Sequence, residues 1–261
     1  MSQAGILTSL FRYPVKGLSP EPMARMPLRA GHGLENDRCY ALALGTTAFD
    51  QAAPVPLAKF NFLMLARNEC LATLDTSFDS ASGTLRIARK DERLVEADLR
   101  TPAGREAVGA FFTAFAGDAA RGRIHVVAAE GHRFTDIGAP VPAFMNCVSL
   151  INLTSLRSLE AAMGRPLDPM RFRANLYVDG LPAWAELDWI GQQVSIAGQP
   201  FRAVRRTRRC PATNVNPATA ERDADVPKAL MEHFGHPDLG IYLEVLVHTT
   251  LTAGDSIAGP A

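Results

Sequence analysis

Short runs in which apolar and polar positions alternate recur along the chain, and a period of two marks half-buried strands. In the first half, ILTSLFRY (Ile6–Tyr13), RCYALAL (Arg38–Leu44), FNFLMLA (Phe60–Ala66) and RIHVVAA (Arg123–Ala129) read as strands. Leu71–Ala88 reads as a hairpin, because an Asp, Ser and Gly turn separates two alternating segments. CVSLIN (Cys147–Asn152), ANLYVDG (Ala174–Gly180), QQVSIAG (Gln192–Gly198), FRAVRR (Phe201–Arg206) and IYLEVLVHT (Ile241–Thr249) extend the pattern. Helical periodicity is rarer. It starts near Thr101, where Thr101 can cap, Pro102 suits the first turn, and Val108, Phe111, Phe112 and Phe115 share a face before Gly117. Thr154–Gly164 and Val226–Gly235 are the other two helical segments, each stopped by its glycine.

Many strands with a few helices, in no regular βαβ alternation, predict an α+β, mainly β protein built around β-barrels. The Gly/Pro-rich, irregular stretch EGHRFTDIGAPVPAFMN (Glu130–Asn146) is the internal boundary. It divides the chain into a β-barrel-like domain over residues 1–130 and a second β-barrel with a few helices over 131–261.

Composition narrows the function classes. The 261 residues are 47% hydrophobic and 21% charged, which is ample for a core. Lys plus Arg equals Asp plus Glu at 27 each, so no global field draws the protein to nucleic acid or to an anionic membrane. The N-terminus lacks the basic and apolar regions of a signal peptide, and no run is long enough to span a bilayer, so a cytoplasmic protein is expected. Positive charge is concentrated locally at Arg202, Arg205, Arg206, Arg208 and Arg209.

Several chemistries are missing. There is no G-x-S-x-G, H-E-x-x-H or P-loop, and GHGLEN at Gly31 lacks the third glycine of a dinucleotide fingerprint. His233 and His236 lie three apart with no further ligands evident, a pairing common by chance. The four cysteines (Cys39, Cys70, Cys147, Cys210) form no C-x-x-C pair and are expected to be free thiols. Three sit in apolar contexts and read as small core residues.

Cys210 stands apart, at the end of the arginine run and before Pro211, Thr213 and Asn214. Neighbouring guanidinium groups favour the thiolate, the form that binds metals or attacks electrophiles. On a strand, alternate side chains diverge, so only part of the arginine run can serve one site. Two readings fit these residues. One is a soft metal attached to an anionic organic ligand. The other is a solvated arginine face beside an incidental thiol.

LFRYPVKGL (Leu10–Leu18), GLENDRCYAL (Gly33–Leu42), CVSLINLTSL (Cys147–Leu156), RFRANLYVDG (Arg171–Gly180), WAELDW (Trp184–Trp189) and RRCPATNVNPATAERD (Arg208–Asp223) follow one another in a recognisable order. In that order they resemble a MOSC-domain protein, the family named after the C-terminal domain of molybdenum cofactor sulfurase, with its usual N-terminal β-barrel domain. By pattern they are most similar to mitochondrial amidoxime-reducing components and their bacterial counterparts. The resemblance implies a molybdenum cofactor (Mo-molybdopterin), with Cys210 as the metal ligand and catalytic position. It implies that Lys16, Arg38, Arg173 and Arg209 contact the cofactor or its anionic end, that Asn175 orders the loop, and that Thr213 stands in the family's threonine position. The structural alternatives are a solvated Lys16, and Arg38 and Arg173 paired with Asp37, Glu35 or Asp179. Phe144, Met145 and Asn146 replace the acidic and hydroxyl residues common in relatives, and Gly17 and Asn214 also depart from the pattern.

The implied activity is reduction of N-hydroxylated or related N-/S-oxygenated small molecules. With no iron–sulfur cysteine cluster and no flavin fingerprint, electrons come from a separate donor protein of ferredoxin, flavin-reductase or cytochrome type. The alternative is a non-catalytic carrier of the cofactor, or of sulfur as a Cys210 persulfide.

Overall fold

The computed structural model describes residues 4–260; the first three residues of the N-terminal segment read above lie outside them. The first half contains β1 (Gly5–Arg12), β2 (Glu21–Pro22), β3 (Arg25–Arg29), β4 (Gly33–Leu34), β5 (Ala41–Ala43), β6 (Asp75–Asp79), β7 (Thr84–Arg89), β8 (Glu92–Asp98) and β9 (His125–Val127). The second half contains β10 (Val148–Asn152), β11 (Leu176–Asp179), β12 (Gln193–Ile196), β13 (Gln199–Arg208), β14 (Asp238–Val245), β15 (Thr249–Thr252) and β16 (Ser256–Ala258). The α-helices are α1 (Pro102–Ala116), α2 (Leu153–Met163) and α3 (Val226–Phe234). The fold is therefore α+β and mainly β, as the pattern predicts.

A closed barrel of seven strands forms the larger body, in the order β11-β10-β14-β13-β12-β16-β1, with β1 pairing back onto β11. Inward positions alternate with outward ones, so Leu7, Leu150, Val178, Phe201 and Leu243 fill the interior. Hydrogen bonding crosses the expected division between residues 130 and 131, because β1 closes a barrel otherwise made from residues beyond 147. β3 likewise pairs with β15 from the far end of the chain. The alternation Leu7, Leu10 on β1 and Met26, Leu28 on β3 buries these residues in the barrel core, which favours that placement.

The remaining first-half elements form a second body. β6, β7 and β8 make an antiparallel sheet whose Leu85 and Ile87 pack on Val108 and Phe112 of α1. Thr101 caps α1 by accepting from the Gly104 amide at 3.0 Å, with Pro102 in the first turn, as read from sequence. The Phe60–Ala66 strand does not form. Lys59–Asn61 is instead a 3₁₀ turn, Phe62 makes an isolated bridge to Ala43, and Asn68 Oδ1 accepts from the Met64 amide at 3.2 Å. That side chain competes with a ladder and turns the segment. Phe62, Leu63 and Met64 are buried without regular pairing, Leu63 bonding to Leu42 through its amide at 2.9 Å, while Phe60 is exposed.

The cysteines are free, but only Cys147 is buried; Cys39 is intermediate and Cys70 exposed. Cys70 lies on the 3₁₀ turn Glu69–Thr73, where the hairpin was expected to begin, and the turn carries it out of the core. No helix among the described residues is long and apolar enough to cross a membrane.

Candidate functional site

The outer wall of the barrel and the first-half segments that cover it enclose a cleft of about 390 Å³. Ser149, Tyr242 and Arg205 come from β10, β14 and β13, where Ser149 pairs with Tyr242 and Tyr242 with Arg205. The opposite wall is built by Lys16–Gly17, Ala58–Phe60, Met64–Ala66 and Thr135–Pro140. All seven residues singled out in the sequence, Lys16, Arg38, Arg173, Asn175, Arg209, Cys210 and Thr213, line this one cleft. The segment read as a boundary is therefore part of the site.

The charge there is one-sided. Nine Lys and Arg side chains line the cleft against a single carboxylate, that of Asp136, in a chain with no net charge. The register of β13 shifts between Ala203 and Arg205 and again between Arg206 and Arg208. Arg205 then stands opposite the outward Tyr242, whereas Arg206 pairs with the inward Ile241 and donates to Leu187 O at 2.9 Å. Only part of the arginine run thus faces the cleft, as alternation along a strand predicts. Arg202, before the first shift, instead approaches Glu244 at 3.6 Å.

A buried polar hub positions the innermost groups. Asn175 is 1% exposed, and its Oδ1 accepts from the Ser149 amide at 3.1 Å and hydroxyl at 3.0 Å. Its Nδ2 donates to Phe11 O at 3.1 Å and to Asp37 Oδ1 at 3.2 Å. Asp37 also accepts from the Tyr13 amide at 2.8 Å and from Arg38 Nη1 at 2.5 Å. Arg38 Nη2 donates to Arg173 O at 2.8 Å. The YPVK, NDR and FRAN motifs are thus one hydrogen-bonded unit, although more than 130 residues separate the last from the others.

Arg38 and Arg173 both sit at positive φ, at 49° and 52°, and both guanidinium groups lie over the Tyr13 ring, 4.6 and 4.5 Å from its centroid. Left-handed backbone is costly for arginine, and the contacts just described hold it in place. Their partners differ. Arg38 pairs with Asp37, as one structural alternative foresaw. Arg173 pairs with neither Asp37, Glu35 nor Asp179, and its guanidinium has no hydrogen-bond acceptor among the described residues. Burial pushes it down from its ordinary 12.5, with the Arg38 charge adding to the effect, partly offset by Tyr13. An anion in the cleft would relieve that penalty.

Lys16 is 8% exposed rather than solvated. It donates to Phe134 O at 3.0 Å and pairs with Asp136. The Asp136 side chain is 49% exposed, so its burial is partial; that burial raises the carboxyl, but Lys16, Lys59 and Arg38 together hold it below its ordinary 3.8. A depressed carboxylate contributes stability above its unfolded value and loses it as pH falls through the folded one. Asp136→Asn is accordingly expected to be less stable than wild type at neutral pH, with the gap closing below about pH 4. Denaturant unfolding from pH 7 to pH 3 checks this, and a pH-independent gap would show that the pairing contributes no titrating stability.

Arg209 is held by main-chain carbonyls. Its Nε donates to Leu239 O at 2.8 Å, its Nη1 to Phe172 O at 3.1 Å, and its Nη2 again to Leu239 O. The guanidinium therefore clasps two backbone segments where it lines the cleft beside Cys210. Thr213 closes the 3₁₀ turn Pro211–Asn214, its hydroxyl donating to Cys210 O at 2.9 Å. Cys210 is partly exposed and its thiol has no hydrogen-bond partner among the described residues. Burial pushes the Cys39 and Cys147 thiols up to about 12.

Sequence reasoning missed Asp136, Lys59, Arg171 and Tyr242. Arg171 is buried, pairs with Asp223 at 2.6 Å and donates to Asn214 O at 3.2 Å, which ties RFRAN to the loop after Cys210. Tyr242 was readable: between Ile241 and Leu243, both 0% exposed, alternation turns it to the outer face.

A family model described as MOSC domain matches residues 132–258. No match is found among curated proteins. Among solved structures, YiiM from Geobacillus stearothermophilus is 20% identical with a TM-score of 0.34, over 44% of this chain and 54% of that one. The chain thus spans about half the length of that protein. The YuaD protein from Bacillus subtilis is 11% identical with a TM-score of 0.40, over 97% of this chain and 94% of that one. The family match falls on the part that supplies Cys210, Arg173, Asn175 and most of the barrel, so residues 132–258 are a MOSC domain.

Proposed function

We propose that the cleft holds a molybdenum cofactor and that the protein is an oxidoreductase acting on N-hydroxylated or related N-/S-oxygenated small molecules. MOSC domains are associated with the molybdenum cofactor in general. The observation that carries the reading is the unpartnered Arg173 guanidinium, aimed into the same cleft as the unpartnered Cys210 thiol. A guanidinium fork suits a phosphate dianion, and a thiol suits a soft metal, so the donor set fits a metal carried on a phosphorylated pterin. When bound, the cofactor supplies two-electron redox chemistry that the side chains themselves lack.

The chain's own residues do the rest. Cys210 provides the ligand, held by the Thr213 turn and the Arg209 clasp. Arg38 and Arg173 bind the anionic end and are kept in place by Asp37, Asn175 and Tyr13. Lys16, neutralised by Asp136, shapes the entrance rather than adding free charge. The net reaction converts an N–OH group to N–H and water with two electrons and two protons. The electrons come from a separate donor protein of ferredoxin, flavin-reductase or cytochrome type.

Protein purified from a molybdenum-replete host is expected to contain about one molybdenum per chain and to reduce benzamidoxime when a reductase system is added. A preparation without molybdenum but with cyanide-labile sulfur on Cys210 would instead favour the sulfur carrier.

A further inference from the structure

The proposed cofactor contacts leave part of the cleft's positive charge unused. Lys16 is neutralised by Asp136 and Arg171 by Asp223, while Arg38 and Arg173 serve the cofactor. Arg206 is held by Leu187 O and Asp188, Arg209 by backbone carbonyls, and Arg208 lies opposite Asp238 at the far end of β13, which leaves Lys59 and Arg205. Both line the cleft, and neither has a carboxylate partner among the described residues. They come from opposite walls, Lys59 on the 3₁₀ turn Lys59–Asn61 and Arg205 on β13 of the barrel.

Tyr242 faces Arg205 across the β13–β14 ladder, and its hydroxyl also has no hydrogen-bond partner among the described residues. Directly paired residues on an antiparallel ladder place their Cβ atoms about 5 Å apart, so one small group can meet both side chains. Burial pushes the Tyr242 phenol up to about 12, with the Asp136 charge adding and Arg209 and Arg38 opposing. The phenol therefore keeps its proton at neutral pH and is available as a donor.

We propose that Arg205, Lys59 and Tyr242 form an anion subsite in the cleft, which selects substrates carrying a carboxylate near the N–O bond to be reduced. This rests on the cleft being the substrate site of the proposed reductase. A guanidinium fork, an ammonium and a phenol hydroxyl together give a carboxylate charge-assisted bonds from two walls. Whole-chain charge is zero, so the preference is local and not a general attraction to anions.

The probes are benzamidoxime and its 4-carboxylate, which differ by one charge. Calorimetric titration of the full chain reads both dissociation constants, and elemental analysis reads molybdenum. Wild type is expected to bind the carboxylate at least about tenfold more tightly, a ratio that falls with added salt. In the double variant Lys59→Gln, Arg205→Gln the ratio is expected to drop to about one while molybdenum per chain holds, and Tyr242→Phe is expected to lower it about threefold. Equal affinities in wild type would overturn the subsite, as would an unchanged ratio in the double variant. Loss of molybdenum in the double variant would also overturn it, by assigning these cations to the cofactor. If acidic donor protein, but not the carboxylate probe, binds the double variant more weakly, the cations serve docking and the subsite fails. Wild type lacking molybdenum but keeping the tenfold ratio would refute the reductase reading and support the subsite.

Discussion

Cys210→Ala is expected to leave the protein folded and without molybdenum. The backbone around Cys210 is held by main-chain groups: its carbonyl accepts from the Thr213 amide at 3.0 Å and hydroxyl at 2.9 Å. Its backbone angles, φ −131° and ψ 170°, are as open to alanine as to cysteine. The thiol is only partly buried and has no hydrogen-bond partner among the described residues, so truncation leaves no buried group orphaned. The stability change should stay within about 0.5 kcal/mol, which is at most about 2 °C in melting temperature for a chain of this size. Function should respond very differently. Groups that merely orient a metal ligand cost roughly 10–100-fold when removed, and loss of the ligand itself should exceed that. The expected result is background molybdenum and a reductase rate down by about a hundredfold or more. Wild-type molybdenum content in a folded Cys210→Ala protein would remove the basis of the proposed function.

What the sequence made legible follows the range of the forces involved. α1 was readable because its cap, its first-turn proline and its apolar face lie within one short segment, and the structure uses all three. The cleft residues were readable because each sits in a contiguous motif. Their convergence could be inferred only from resemblance, since it depends on contacts such as Arg38 to Arg173 across 135 residues. Lys16 could not be assigned a partner from sequence, because Asp136 is 120 residues away in a stretch that looked like a linker. The insertion of β1 into the barrel was hidden for a related reason: its alternation states that one face is buried, but not against what. The bulges in β13 were invisible too. A register shift is set by the partner strand, and it decides which residue of the run, Arg205, stands opposite Tyr242.

Asn175→Ala is expected to damage fold and site together, because Asn175 is the point where the barrel meets Asp37 and the cleft arginines Arg38 and Arg173. The substitution removes the acceptor for the Ser149 amide and hydroxyl and the donor to Phe11 O and Asp37 Oδ1, at a position 1% exposed. Each buried group left without a partner costs about 1–3 kcal/mol, and at least two are stranded here. A loss of about 3 kcal/mol or more follows, a large share of the roughly 5–15 kcal/mol typical of a folded protein. Calorimetry should show a fall of about 6–12 °C in melting temperature. Asn175→Asp separates the two roles. It keeps an acceptor for Ser149 but places a second carboxylate where Asn175 Nδ2 now donates to Asp37 at 3.2 Å. Two buried carboxylates that close cannot both ionise, so one takes a proton and its folded pKa rises above the unfolded value. A raised pKa stabilises at low pH, and that stability is lost as pH increases. Asn175→Asp should therefore recover stability relative to wild type between pH 7 and pH 5, whereas Asn175→Ala should not. Parallel pH profiles for the two variants would mean that Asn175 only fills space, and that Arg38 and Arg173 are positioned by something other than the Asp37–Asn175 bond.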